Sequence, residues 1–227
     1  MIFWDEPGYV VAFTTRAGGV SDGPYESLNL TTGTGDEPAR VAENRRIACE
    51  ALALDVDRLA FNRQVHSPTV HRAHPGACGE PGDGLWTDEP ALPMLAMSAD
   101  CLPIAIARMD GDRALTVLHA GWRGLAEGVV AAGATALGRG AKAAIVGPAI
   151  GPCCYEVGPE VAGVFDDDLT QDGKLDLWAG AERALRAAGV ERVERVDLCT
   201  RCNPELFFSH RRSGRARGVQ GVVGAVA

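Results

Sequence analysis

The stretch from Ser98 to Gly124 constrains this chain more than any other. It reads Ser-Ala-Asp-Cys-Leu-Pro, passes through the apolar run Ile104–Ala107 and turns at Met109-Asp-Gly-Asp112. It returns through Ala114–Leu118 into His119-Ala-Gly-Trp-Arg-Gly124. Two apolar runs around a turn containing Asp-Gly predict a β-hairpin. A hairpin sets the start of its first strand beside the end of its second. Cys101 and His119 are therefore expected to be neighbours in space. A thiol beside an imidazole suits a soft metal or a Cys–His nucleophile pair.

The rest of the chain reads as one domain over residues 1–227, with no internal repeat and no linker. Tyr9–Thr15, Leu59–Phe61, Gln64–His66, Leu85–Thr87, Pro93–Met97, Ala143–Val146, Arg192–Leu198 and Gly218–Val223 have the β-rich or apolar character of strands. Ser27–Leu30 reads as a short extended piece. A helix opens after Asp36-Glu-Pro38, because an acidic first turn and an early proline suit a helix start. Leu125–Leu137 and Leu177–Ala188 read as further helices, with a short one near Glu160–Phe165. Strands and helices mix without strict alternation. The expectation is an α+β fold, a mixed sheet core with flanking helices.

A net charge of −8 argues against a nucleic-acid surface. No apolar run reaches the roughly 18 residues of a membrane span, and the N-terminus lacks the pattern of a signal peptide. Seven cysteines, an odd number, do not suggest a disulfide framework, so a reducing cytoplasm is the expected compartment. A monomer is expected.

His66, His119 and Cys101 together would give zinc three protein ligands and leave its fourth position open to water, as in a catalytic site. Such water would lose a proton near neutral pH and attack an electrophilic carbon. His71 and His74 read as solvated loop residues, and His210, in an arginine-rich segment, suits substrate contact. Arg123 stands at a predicted helix start, where backbone N–H groups favour an anion. Arg45, Arg211, Arg212 and Arg215 can add charge, and Trp122 and Tyr155 offer aromatic faces. Cys199-Thr-Arg-Cys202 is a C-x-x-C pair, but a structural zinc site needs a second such pair and no suitably spaced one is evident. Adjacent Cys153 and Cys154 do not readily chelate one metal together, and read as lining or supporting their loop.

The segments Arg16-Ala-Gly-Gly-Val-Ser21, Ser27-Leu-Asn-Leu30, Asn44-Arg45, Gln64-Val-His-Ser67, Ser98-Ala-Asp-Cys-Leu-Pro103, His119-Ala-Gly-Trp-Arg-Gly124, Gly147–Gly158 and Phe207-Phe-Ser-His-Arg-Arg212 occur in this order. Together they resemble the laccase-domain family, whose members carry the names polyphenol oxidase, purine nucleoside phosphorylase and peptidoglycan editing factor. The resemblance runs from about Tyr9 to the C-terminus. It implies a zinc site at His66, Cys101 and His119. It also implies phosphorolysis of adenosine, inosine, guanosine and methylthioadenosine, with deamination of adenosine. The implied partners are a purine nucleoside and phosphate.

On that basis Asp83 and Asp100 become candidates for proton transfer or for orienting ligand histidines. A straight strand through Asp100 and Cys101 would point their side chains to opposite faces, so a shared pocket needs a bend there. Arg45 and Arg123 become candidates for phosphate and Asn29 for the ribose hydroxyls. Gly82-Asp-Gly-Leu-Trp-Thr87 departs from the family's commoner Asp-Ala-Leu-Val-Thr pattern but keeps Asp83. Three other readings stay open: a peptidoglycan precursor-editing amidase, a copper-dependent polyphenol oxidase, and a non-enzymatic metal-bearing interaction module. Two imidazoles and a thiolate also suit copper.

Overall fold

The computed structural model describes residues 1–227. The strands in chain order are Ile2–Trp4 (β1), Tyr9–Phe13 (β2), Ala60–Arg63 (β3), Val70–Arg72 (β4), Cys78–Pro81 (β5), Gly84–Thr87 (β6), Met94–Ser98 (β7), Leu102–Arg108 (β8), Leu115–Ala120 (β9), Lys142–Val146 (β10), Thr170–Gln171 (β11), Lys174–Leu175 (β12), Arg192–Arg195 (β13) and Gln220–Val226 (β14). The helices are Pro38–Glu50 (α1), Trp122–Ala126 (α2), Val129–Ala136 (α3), Pro159–Ala162 (α4), Leu177–Ala187 (α5) and His210–Ser213 (α6).

The core is built from two sheets, where the sequence suggested one. The first runs β1-β2-β14-β7-β3-β5 and the second β13-β10-β8-β9-β6-β4. Each mixes parallel and antiparallel pairs. The central strands β8, β9 and β10 of the second sheet are buried on both faces because both faces are covered. Ile104 and Ile106 of β8 face the helical side with Leu118 of β9, whereas Ala105, Ala107, Leu115 and Val117 face the first sheet. The helical side packs against α3 and α5, while α1 covers the far face of the first sheet. The result is four layers, helix, sheet, sheet, helix, in an α+β domain. Each fully buried Ile or Leu in these layers contributes about 1.5–3 kcal/mol of transfer free energy. No helix is long and apolar enough to cross a membrane.

The predicted hairpin forms between β8 and β9, with Pro103 opposite His119. Three local expectations change. Gln64–His66 is loop, because the carboxylate of Asp83 takes the N–H groups of Val65, His66 and Ser67 that a neighbouring strand would need. The helix expected over Leu125–Leu137 is two helices, broken where Gly128 adopts a φ of 94°. Ser27–Leu30 pairs with no strand. Instead Asn44, buried in α1, accepts from Val20 and donates to Ser21 and to the Asn29 carbonyl, so this loop is fastened to the helix by side chains.

Candidate metal centre and its cavity

β7 belongs to the first sheet and β8 to the second, and the chain crosses between them at Ala99-Asp100-Cys101. Asp100 takes a φ of 91° there. The chain bends there and aims Cys101 toward the end of β9, but Asp100 does not join it in one pocket. Cys101 Sγ lies 3.8 Å from His66 Nε2. The rings of His66 and His119 meet edge to face with centroids 4.8 Å apart. One ligand atom from each of His66, Cys101 and His119 falls within 4.8 Å of the others.

Two features prepare this triad for a metal. Gly121 keeps space clear: a Cβ there would stand 2.7 Å from His66 Cδ2 and 3.0 Å from Cys101 Sγ. Asp83 fixes the histidines. Its Oδ1 receives His119 Nδ1 at 2.8 Å, which leaves Nε2 of that ring as the ligand atom. The same carboxylate accepts the His66 N–H at 3.0 Å and the Ser67 N–H at 2.7 Å, and so holds His66 at a φ of 62°. Burial would push the Asp83 carboxyl up, but these donors hold it well below the usual carboxylate range. Burial would likewise raise the Cys101 thiol, yet His119 and then His66 pull it down toward the thiolate. His119 moves up despite its burial, through Cys101 first and Asp83 second. The donors fit zinc or copper.

The triad closes one end of a cavity of about 640 Å³. That volume lies within the range of small-molecule sites. Five buried side-chain polar atoms in the protein have no hydrogen-bond partner: Thr34 Oγ1, Ser98 Oγ, Thr170 Oγ1, Trp178 Nε1 and Arg217 Nε. Three of them, on Thr34, Ser98 and Arg217, belong to residues that line this cavity. These three atoms are themselves buried beneath the cavity surface.

The other sequence candidates divide. Arg45 lines the cavity, half-buried, with its guanidinium 4.1 Å above the Phe61 ring and its Nε donating to the Leu30 carbonyl. Burial lowers its pKa. His210 lies exposed at the cavity wall. Asp83 holds His119 through its Nδ1. Arg123 does not line the cavity: it is exposed on α2, 5.1 Å from the ring of its neighbour Trp122. Asn29 does not either. Its amide donates to Thr31 and Asp36 and its oxygen accepts from Thr31 and Val219, so it braces the loop. Asp100 spends both oxygens elsewhere, on Thr200 Oγ1 at 2.6 Å and the Arg211 N–H at 2.7 Å. It positions Cys101 and orients neither histidine. Trp122 and Tyr155 pack in the core, and the aromatic ring on the cavity is Phe61.

Sequence reasoning missed Arg217. It sits in a run with Arg211, Arg212 and Arg215, and nothing in that run says which guanidinium turns inward. Arg211 reaches the Glu156 carbonyl, Arg212 the Thr200 carbonyl, and Arg215 is exposed.

Fold and centre together define a two-sheet α+β protein with a His–His–Cys cluster lining a cavity. The chain belongs to the family described as multi-copper polyphenol oxidoreductase laccase, whose model matches residues 10–226. Among its relatives, the purine nucleoside phosphorylase PA4543 of Pseudomonas aeruginosa is 38% identical over 227 residues, covering 93% of this chain and 92% of the relative. The purine nucleoside phosphorylase YfiH of Escherichia coli is 34% identical over 230 residues, covering 92% and 91%. The crystal structure of YlmD from Geobacillus stearothermophilus superposes with a TM-score of 0.88 at 31% identity, over 100% of this chain and 99% of that one.

Proposed function

We propose that this chain is a zinc-dependent purine nucleoside phosphorylase. Its substrates are adenosine, inosine, guanosine and methylthioadenosine, and it also deaminates adenosine. The observation that carries this reading is the cavity itself, where a soft-metal triad and the two arginines Arg45 and Arg217 line one volume. The names of its relatives supply the substrate class.

His66, Cys101 and His119 would hold zinc, which supplies a Lewis-acidic charge with an open coordination position. Asp83 keeps His119 in the ligating tautomer. Arg45 and Arg217 bind phosphate, replacing the pair Arg45 and Arg123 expected from sequence. Phe61 and Met97 supply apolar wall for the base, and His210 contacts the nucleoside from the rim. In phosphorolysis a phosphate oxygen bonds to the ribose carbon as the bond to the purine breaks. The electron pair leaves with the base, which takes up a proton. In deamination the oxygen of water replaces the amine on the purine ring and ammonia departs. The protein acts as a monomeric single domain, and seven unpaired cysteines suit a reducing cytoplasm.

Adenosine turnover and metal content, measured on one preparation of wild type and of His119→Ala, test the proposal. Adenine release that requires phosphate and zinc, and is lost in His119→Ala, supports it. Zinc bound with no turnover of any of the four nucleosides overturns it. The family description and the donor set also favour a copper oxidase as second reading. Copper recovered in place of zinc, with oxidation of a phenol, would select that one.

A further inference from the structure

Four cysteines outside the cavity converge. Cys153 and Cys154 lie on a tight turn in which the N–H groups of Cys154 and Tyr155 donate to the Gly151 carbonyl at 2.9 and 3.0 Å. Cys199 and Cys202 bracket a second turn, which begins where Cys199 bridges to Ala149. The four sulfurs all lie within 4.8 Å of one another. Cys202 Sγ stands 3.4 Å from that of Cys154 and 3.7 Å from that of Cys153. A zinc ion with four thiolates at about 2.3 Å sets its sulfurs about 3.8 Å apart, the edge of the tetrahedron. All four cysteines are free thiols.

Backbone donors gather around one of the four sulfurs. The Gly151 N–H donates to Cys199 Sγ at 3.3 Å, and the backbone N–H groups of Arg201 and Cys202 face the same sulfur. Arg212 lays its guanidinium against the turn, donating to the carbonyls of Thr200 at 2.8 Å and Arg201 at 3.2 Å. Four thiolates around one divalent ion leave a net negative charge of two, and this arginine lies against the turn that carries two of the ligands. Adjacent cysteines become usable together because the first turn splays their side chains toward a partner pair on another loop.

We propose that Cys153, Cys154, Cys199 and Cys202 form a second metal site, a closed structural zinc centre with four thiolate ligands. Each cysteine gives its proton to solvent as the metal binds. The ion would tie together two loops whose cysteines lie 45 to 49 residues apart in sequence. Both loops reach Asp100: Thr200 Oγ1 donates to its carboxylate at 2.6 Å, and the Ile150 N–H to its carbonyl at 2.9 Å. The centre is thereby a support for the bend that aims Cys101, not a participant in the reaction.

The test is zinc content of the full chain purified under reducing conditions without chelator, for wild type, Cys202→Ser and His119→Ala. Two zinc ions per wild-type chain are expected, with one lost in each variant. Should Cys202→Ser fail to fold, His119→Ala decides alone. It keeps all four cysteines, and after exchange of its remaining metal for cobalt it should show the strong thiolate-to-cobalt charge-transfer bands of a four-sulfur site. No metal in His119→Ala overturns the proposal. So does an intact mass two hydrogens light with thiols among these four lost to titration, which would reveal a disulfide. Neither outcome depends on which substrate the cavity takes.

Discussion

Asp83 and His119 are joined twice. The Asp83 carboxylate receives His119 Nδ1 at 2.8 Å, and the Asp83 carbonyl receives the His119 backbone N–H at 2.7 Å. Because the same carboxylate also gathers the N–H groups of Val65, His66 and Ser67, one residue fixes two of the three candidate ligands. Asp83→Asn replaces a charged acceptor with an amide that cannot satisfy all these donors. A loss of about 2–4 kcal/mol in stability is expected from chemical denaturation of the metal-free chain. Zinc affinity, by competition with a chelator, should fall about 10- to 100-fold.

The pH dependence follows from the depressed Asp83 carboxyl. A group whose pKa is lower folded than unfolded contributes stability that is complete above its unfolded value and lost as pH falls toward the folded one. With an unfolded value near about 3.9, the stability gap between metal-free wild type and Asp83→Asn should be full at neutral pH. It should shrink as pH drops below about 4. A gap that stays constant on acidification would mean that the carboxylate charge is not what holds the loop.

Gly121 tests the shape of the centre without touching a ligand. Its backbone is extended, with φ −74° and ψ 170°, so alanine is conformationally acceptable there. The new methyl would meet His66 and Cys101 at 2.7 and 3.0 Å. Gly121→Ala should keep the far-ultraviolet circular dichroism of wild type and lose metal at least about 10-fold more readily. Unchanged metal affinity would argue that His66 and Cys101 do not bind one ion together.

The arginines separate by the same logic. Loss of one charged contact to a bound anion costs about 1.5–3 kcal/mol, or roughly 10- to 100-fold in affinity. Arg217→Gln and Arg45→Gln should raise the KM for phosphate by that factor. Arg123→Gln, on the exposed face of α2, should leave it unchanged. Phosphate kinetics on the three variants check this, and an effect confined to Arg123 would reverse the assignment.

The hairpin was legible because it is local. Apolar runs at Ile104–Ala107 and Ala114–Leu118 around an Asp-Gly turn bury both faces as paired central strands, and the pairing sets the start of β8, with Cys101 just before it, near His119. The ordered motifs placed His66 with them. Other features rest on contacts between residues that sequence separation hides. Asp83 decides that Val65 and His66 are loop, by accepting N–H groups 16 to 18 positions away. Val219 and Asp36 close on Asn29 and remove it from the cavity, and Thr200 and Arg211 do the same for Asp100. Among four arginines of one run, only the fold turns Arg217 inward. Cys153-Cys154 and Cys199-x-x-Cys202 look unrelated along the chain, and only the packing of two turns against each other sets four sulfurs within 4.8 Å. Hydrophobic patterning thus determined the strands and their burial, since the period of side chains along a strand is written locally. Hydrogen-bond partners and metal-ligand sets were decided by the tertiary structure, since each depends on the position of an atom supplied by a distant segment.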